Sequence, residues 1–337
     1  MITPVRHTKL LPGTLKNLFY PPERGEYIYF ARAGECAFAN GSTIVKAAWA
    51  ADASMLVYSR YGADRMEDGD LDANFGRAGL AYQKIGGSAG NWNASGTQAV
   101  FASCDQFAIL AFRGTEIDDT EDSLYDADIA LVPEHDYRPS PDDPGPALGH
   151  LTGITNLFSP PCLVHQGFQN ALKEMWEQVH RIFLDYRSSH PGVEIRFTGH
   201  SLGGALAVLA FSRFADPDLS LCTFGCPRVG DEAFRDRVMS NPGRGVYRFV
   251  NFNDAVAHVP PESLFYKHAP SQCYRFDENG NLSQDGDTFG GDVDSLRAAV
   301  NGLPAGLRTV DLDGIPAPPS VVDHSPSRYC FRLWDCV

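Results

Sequence analysis

The run Val193–Phe211, VEIRFTGHSLGGALAVLAF, leaves few folds open to this chain. Its first half places Val193, Ile195 and Phe197 at every second position, the pattern of a strand. From Leu202 onward the residues are small and apolar on every side, which reads as a buried helix. Between the two stands Gly199-His200-Ser201-Leu202-Gly203. A serine on so sharp a turn sits in a strained backbone conformation. Side chains two positions to either side of it would collide with the adjoining strand and helix, so glycine stands at both. A strand, a glycine-flanked serine and a helix together expose a serine hydroxyl at the end of a sheet, where it can act as a nucleophile.

The five-residue pattern alone would not decide the matter, because Gly86-Gly87-Ser88-Ala89-Gly90 repeats it. The residues that follow, NWNASGTQ, are loop-like and cannot open a helix. That segment reads as a turn, and context singles out Ser201.

Charge narrows the partners. The 337 residues carry a formal charge of −14, and the excess is local. Residues 116–143 hold eleven acids against one base, Arg138, while residues 277–294 hold six acids and no base. Acidic surface of this kind repels phosphate, so neither nucleic acid nor an anionic membrane is an expected partner, and the patches read as solubilising loops. No apolar run reaches the length of a membrane span, and MITPVRHTKLLPGTLKNLFYPP has no signal-like apolar core. The expectation is a protein that is soluble and cytoplasmic rather than secreted. Eight cysteines, at 36, 104, 162, 222, 226, 273, 330 and 336, show no metal-site spacing. Cys222 and Cys226 read as buried free thiols, whereas Cys330 and Cys336 could pair in an oxidising compartment. The acids at 277–287 lack the glycine spacing of a calcium loop, and Asn279-Gly280 reads as a hairpin turn. No cofactor or metal is expected, and no feature specifies an oligomeric state.

The rest of the chain alternates strands with helices. A helical pattern occupies residues 35–60 (Ile44, Val45, Ala48, Trp49, Met55, Leu56), opening after Gly41-Ser42-Thr43. Strands are expected at 79–85 and within 97–114. An amphipathic helix is expected from Gln166 to Tyr186, with Phe168, Leu172, Met175, Trp176, Val179 and Phe183 on one face and His190-Pro191-Gly192 as its stop. After the elbow come a strand at 219–224, a short helix at 230–239 and a strand at 246–252. This order predicts an α/β fold with a mostly parallel central sheet and helices on both faces, the α/β-hydrolase architecture. Residues 1–337 read as a single domain, with 1–96 as an extension packed on it and 116–161 as a long acidic insertion.

A serine hydroxyl needs a base to take its proton and a third group to orient that base. In this architecture the chain order is serine, acid, histidine. Asp254 follows the strand VYRFVNFN, at the sheet edge where functional groups are presented, and is the candidate acid. His258, His268 and His324 follow it. His258 is too close to Asp254 for one short loop to place both, and His268 precedes a strand and hairpin where it packs or caps. His324 is the candidate base, with Asp323 beside it as a rival orienting acid. Leu202, through its backbone N–H at the helix start, and Thr115, after FAILAFRG, are the candidate oxyanion donors.

FRGT at 112–115, HQGF at 165–168, TGHSLGGALA at 198–207, RFVNFNDAVAHVPP at 248–261 and DH at 323–324 resemble, in order, the motifs of the class 3 lipases. The resemblance covers roughly residues 97–330. It implies Ser201, Asp254 and His324 as catalytic residues, Thr115 and Leu202 as oxyanion donors, and structural roles for His165 and Asp128. It implies a lipase or esterase cleaving fatty-acyl esters such as acylglycerols, with a small-molecule or lipid ester as substrate. Phospholipid acyl esters and feruloyl-type esters are the alternatives on the same fold, and a non-catalytic binding protein is the alternative of another class. The stretch EIDDTEDSLYDADIALVP departs from the family's short amphipathic lid, being acidic with few apolar residues to embed in lipid.

Overall fold

A computed structural model of the chain describes residues 29–30, 32–34, 37–58, 68–86, 96–114, 130–134, 162–270, 272–286 and 319–337. The helical pattern near the N-terminus becomes α1, Thr43–Leu56, capped by Ser42, whose Oγ accepts the Val45 N–H. A short helix α2, Asp68–Arg77, leads into β1 (Ala81–Gly86), β2 (Gln98–Cys104) and β3 (Phe107–Phe112). A two-stranded pair, β4 (Leu131–Pro133) and β5 (Leu163–His165), follows. Then come α3 (Gln166–Lys173), α4 (Trp176–Ser189), the elbow strand β6 (Glu194–His200) and α5 (Leu202–Ser212). The chain continues with β7 (Leu219–Phe224), α6 (Glu232–Met239), β8 (Gly245–Val250) and the hairpin β9 (Gln272–Phe276) and β10 (Leu282–Gly286). It closes with α7 (Pro319–His324) and α8 (Pro326–Asp335).

Eight strands form one sheet in the order β1-β2-β3-β6-β7-β8-β9-β10. The central block β3-β6-β7-β8-β9 is parallel throughout, and antiparallel strands flank it on both sides. This is the α/β-hydrolase fold, and strand periodicity supplies its two cores. Phe107, Ile109 and Ala111 of β3 face one layer with α1 and α8, including Trp49, Leu56, Tyr329 and Trp334. Ala108, Leu110 and Phe112 face the other layer with α3, α4 and α5. Helix α5 is buried along its length, as its all-apolar sequence requires.

The helix expected from Gln166 to Tyr186 is two helices. Its six-residue apolar face is buried throughout, so the period was legible, but the last turn of α3 tightens at Glu174 and Met175 into bonds three residues apart. There the Glu174 carboxylate is engaged by the N–H and hydroxyl of Thr97, 3.2 and 3.1 Å away across the chain. Such a tertiary contact leaves no trace in the local pattern. The turn at Asn279-Gly280 closes the β9–β10 hairpin, with Gly280 at φ 84° and the Asp277 carboxylate accepting the Asn279 and Asn281 N–H groups. Among the described residues no group of three or more His, Cys, Asp or Glu stands close enough to hold a metal, and no helix is long and apolar enough to cross a membrane.

At the opposite end of β6 from the elbow, buried Glu194 bonds Lys46 at 2.6 Å, Arg196 at 2.8 Å and the Ser220 hydroxyl at 2.7 Å, tying α1 to the sheet. Burial alone would raise the Glu194 carboxyl, but the two cations and the hydroxyl outweigh it and bring it from 4.5 down to about 2. A depressed carboxyl stabilises the fold fully above its unfolded value and loses that contribution as pH falls toward the folded one. Glu194→Gln should therefore destabilise the protein by about 3 kcal/mol at pH 7, read as a lower urea midpoint, and the gap should narrow between roughly pH 4.5 and 2.

Candidate active site

The elbow is built from backbone packed on backbone. Ser201 adopts φ 58° and ψ −130°, a region costly for a residue with a Cβ, and is held there by its own N–H bonding Phe224 O at 2.9 Å. A Cβ on Gly199 would lie 2.2 Å from the Gly203 carbonyl carbon, and one on Gly203 would lie 2.2 Å from Phe112 O. Glycine at these positions lets α5 start directly against β6 and β3. Leu202 is the first residue of α5, so its N–H has no partner within that helix and stands at the positive end of the helix dipole.

Asp254 and His324, seventy residues apart, meet beside this turn. His324 Nδ1 lies 3.0 Å from each oxygen of the Asp254 carboxylate, and both residues are buried. Asp254 also accepts the Tyr329 hydroxyl at 2.6 Å and the Val256 N–H at 3.0 Å. Burial would push its carboxyl upward, yet His324 and Tyr329 together hold it below the ordinary aspartate value, so it is ionised. Ionised Asp254 against Nδ1 leaves the His324 Nε2 as the proton-accepting nitrogen. Gly225, directly after the strand residue that holds Ser201, has φ 55°, and a Cβ there would stand 2.5 Å from Asp254 Oδ2 and 2.9 Å from His324 Nδ1. The elbow and the acid–histidine pair therefore share one small region at the C-terminal edge of the sheet.

The other candidates are placed as follows. His268 is buried and donates from Nε2 to Ala257 O at 2.5 Å, and its surroundings hold it neutral, burial being the main cause. His258 is also buried, its carbonyl bonded by Arg228. Asp323 presents its backbone carbonyl to Asn251 Nδ2 at 2.9 Å, and its carboxylate faces Arg328 at 3.8 Å. His165 caps α3, its Nδ1 accepting the N–H of Gly167 and of Phe168, with the Phe168 ring stacked on it at 3.8 Å. His324 is the last residue of a short helix, where a loop was expected. Thr115, Ser88, Asp128 and most of the acidic stretch 116–161 lie outside the described residues.

Three further residues belong to this region. Tyr329 reaches Asp254 from α8, and its hydroxyl also accepts the Asn251 N–H at 2.9 Å. His200, the variable position of the serine motif, bonds the backbone carbonyl of His324 through Nε2 at 2.5 Å. Tyr58, just past α1, bonds His200 Nδ1 at 2.9 Å. Nothing local in the sequence marks Tyr329, whose partner Asp254 lies 75 residues away.

Residues 109–264 match the model of the family described as Lipase (class 3). A lipase of Rhizomucor miehei is 36% identical over 128 residues, which is 36% of this chain and 35% of that protein. A secreted mono- and diacylglycerol lipase of Fusarium solani is 32% identical over 126 residues, 37% of each chain. The match thus spans about a third of the length of these relatives. A solved structure described as a fungal lipase aligns over 84% of this chain and 95% of its own, with a TM-score of 0.53 and 20% identity, a likeness of fold.

Gly225→Ala places a methyl group against both partners of the acid–histidine pair and also strains a left-handed backbone. The expected result is a folded protein whose low-field imidazole N–H proton resonance, the mark of a short bond between His324 and Asp254, is lost or moved upfield. An unchanged resonance would show that the pair is not packed on Gly225.

Proposed function

We propose that this chain is a serine carboxylic-ester hydrolase of the class 3 lipase type working through an acyl-enzyme, a reading supported by the match of residues 109–264 to that family's model. The observation that carries the reading is the buried Asp254–His324 pair standing beside a strained serine at the start of α5. Ser201 Oγ adds to the ester carbonyl carbon as its proton passes to His324 Nε2. Asp254 keeps the ring in the required tautomer and stabilises the imidazolium that forms. The oxyanion is met by the N–H of Leu202 at the helix start and by Thr115. Collapse of the intermediate expels the alcohol, which takes the proton from His324 and leaves the acyl group on Ser201. Water then attacks the acyl carbon, giving its proton to His324, and the acid departs as Ser201 Oγ is reprotonated.

The substrates are fatty-acyl esters, acylglycerols first, a choice supported by relatives named as lipase and as mono- and diacylglycerol lipase. The same reading takes residues 1–337 as one unit, supported by the burial of α1 against the sheet and α8. A reducing, cytoplasmic location is supported by the free thiols of the seven described cysteines, and stands against relatives named as secreted. Immunoblotting of cell and medium fractions decides between the two.

Turnover of p-nitrophenyl esters and of acylglycerol emulsions tests the assignment. Ser201→Ala and His324→Ala should each lower kcat by about 10⁴-fold or more, while Ser88→Ala leaves it unchanged. Retention of activity in Ser201→Ala, or its loss in Ser88→Ala, would overturn the proposal.

A further inference from the structure

Resting on the reading of His324 as the base, we propose that Tyr58 and His200 form a positioning strut in which Tyr58 holds the His200 ring at Nδ1 and His200 fixes the backbone of His324. The three residues come from three separate parts of the chain. Tyr58 lies immediately after α1, outside the matched family region, His200 ends β6 next to the nucleophile, and His324 ends α7. His200 Nε2 stands 2.5 Å from His324 O, and a carbonyl can only accept, so Nε2 carries the proton. Nδ1 is then the acceptor, and the Tyr58 hydroxyl donates to it at 2.9 Å, with the His200 carbonyl as a longer second acceptor at 3.3 Å. The opposite tautomer would turn a lone pair against the His324 carbonyl.

Burial and the neighbouring His324 push His200 down to about 3, so the ring stays neutral through the range in which an ester hydrolase works. Its face also packs on the base, the two imidazole centroids lying 4.5 Å apart. A neutral ring there leaves the charge of the working imidazolium to Asp254.

The strut answers a mechanical need. The last carbonyls of a helix have no partner inside it, and α7 ends at His324 before the chain turns at Ser325 into α8. Two successive carbonyls at that end are taken by side chains from the sheet: Asp323 O by Asn251 after β8, and His324 O by His200 at the end of β6. The Asp254 bond fixes the ring at Nδ1, and the strut fixes the backbone from which the ring hangs. Gly114, the last described residue before Thr115, is held close by the same tyrosine, since a Cβ there would lie 2.0 Å from the Tyr58 hydroxyl.

The test compares Tyr58→Phe, His200→Leu, His200→Gln and the double Tyr58→Phe/His200→Leu in the full chain, with urea midpoints used to confirm that each is folded. On p-nitrophenyl esters His200→Leu should lower kcat by about 10- to 100-fold and Tyr58→Phe by about 3- to 10-fold, with KM moving less than about twofold. The double variant should be no slower than His200→Leu, because the tyrosine acts only through the histidine. His200→Gln, whose amide can still donate to the carbonyl, should recover most of the lost kcat. If His200→Leu does not fold, Tyr58→Phe carries the test through kcat and the low-field His324 resonance. Full kcat in His200→Leu, multiplicative losses in the double variant, or no recovery in His200→Gln would overturn the strut. His324→Ala is run beside them: retained turnover there overturns the base assignment, whereas an inert His324→Ala with a fully active His200→Leu overturns the strut alone.

Discussion

The charge on Asp254 is the point on which the site depends. A carboxylate with no exposure to water is expensive unless its oxygens are bonded, and here His324, Tyr329 and the Val256 N–H supply those bonds. Each donor comes from a different element, so the ionised acid requires α7, α8 and the loop after β8 to be in register at once. The cost is offset only by the assembled fold. Removal of one donor would leave a charge in a dry site, which is why the C-terminal helices, remote in sequence from the elbow, belong to the same structure as Ser201.

The elbow was legible because its causes are local. Strand alternation before Gly199, small residues after Leu202 and glycine where backbone must touch backbone all stand in one nineteen-residue run. The strands and helices flanking it were legible for the same reason. Asp254 could be picked out as the polar residue at the end of a strand, and the structure sets it against His324, with His268 bonded elsewhere. Other features depend on contacts between distant residues and left no local signal. The helical run breaks at Glu174, where the carboxylate meets Thr97, and His324 ends a helix instead of sitting in a loop. Tyr58, His200 and Tyr329 were missed because each acts through a partner more than seventy residues away.

The N-terminal segment gains a reason to exist from this geometry. Residues before the matched family region contribute α1, one wall of a core layer, and Tyr58 at its end. The sheet is therefore braced at both ends of β6. At one end Glu194 clamps Lys46 of α1, and at the other His200 meets Tyr58. The strand that presents the serine is pinned at both ends by the same helical segment, a rigid support for the strained backbone of Ser201.

The most direct measurement is active-site labelling of the intact protein by a fluorophosphonate, followed by peptide mass mapping. The account requires one adduct per chain, carried by the peptide containing Ser201 and absent from Ser201→Ala. An adduct on another serine, or none on a folded protein that hydrolyses esters, would contradict it.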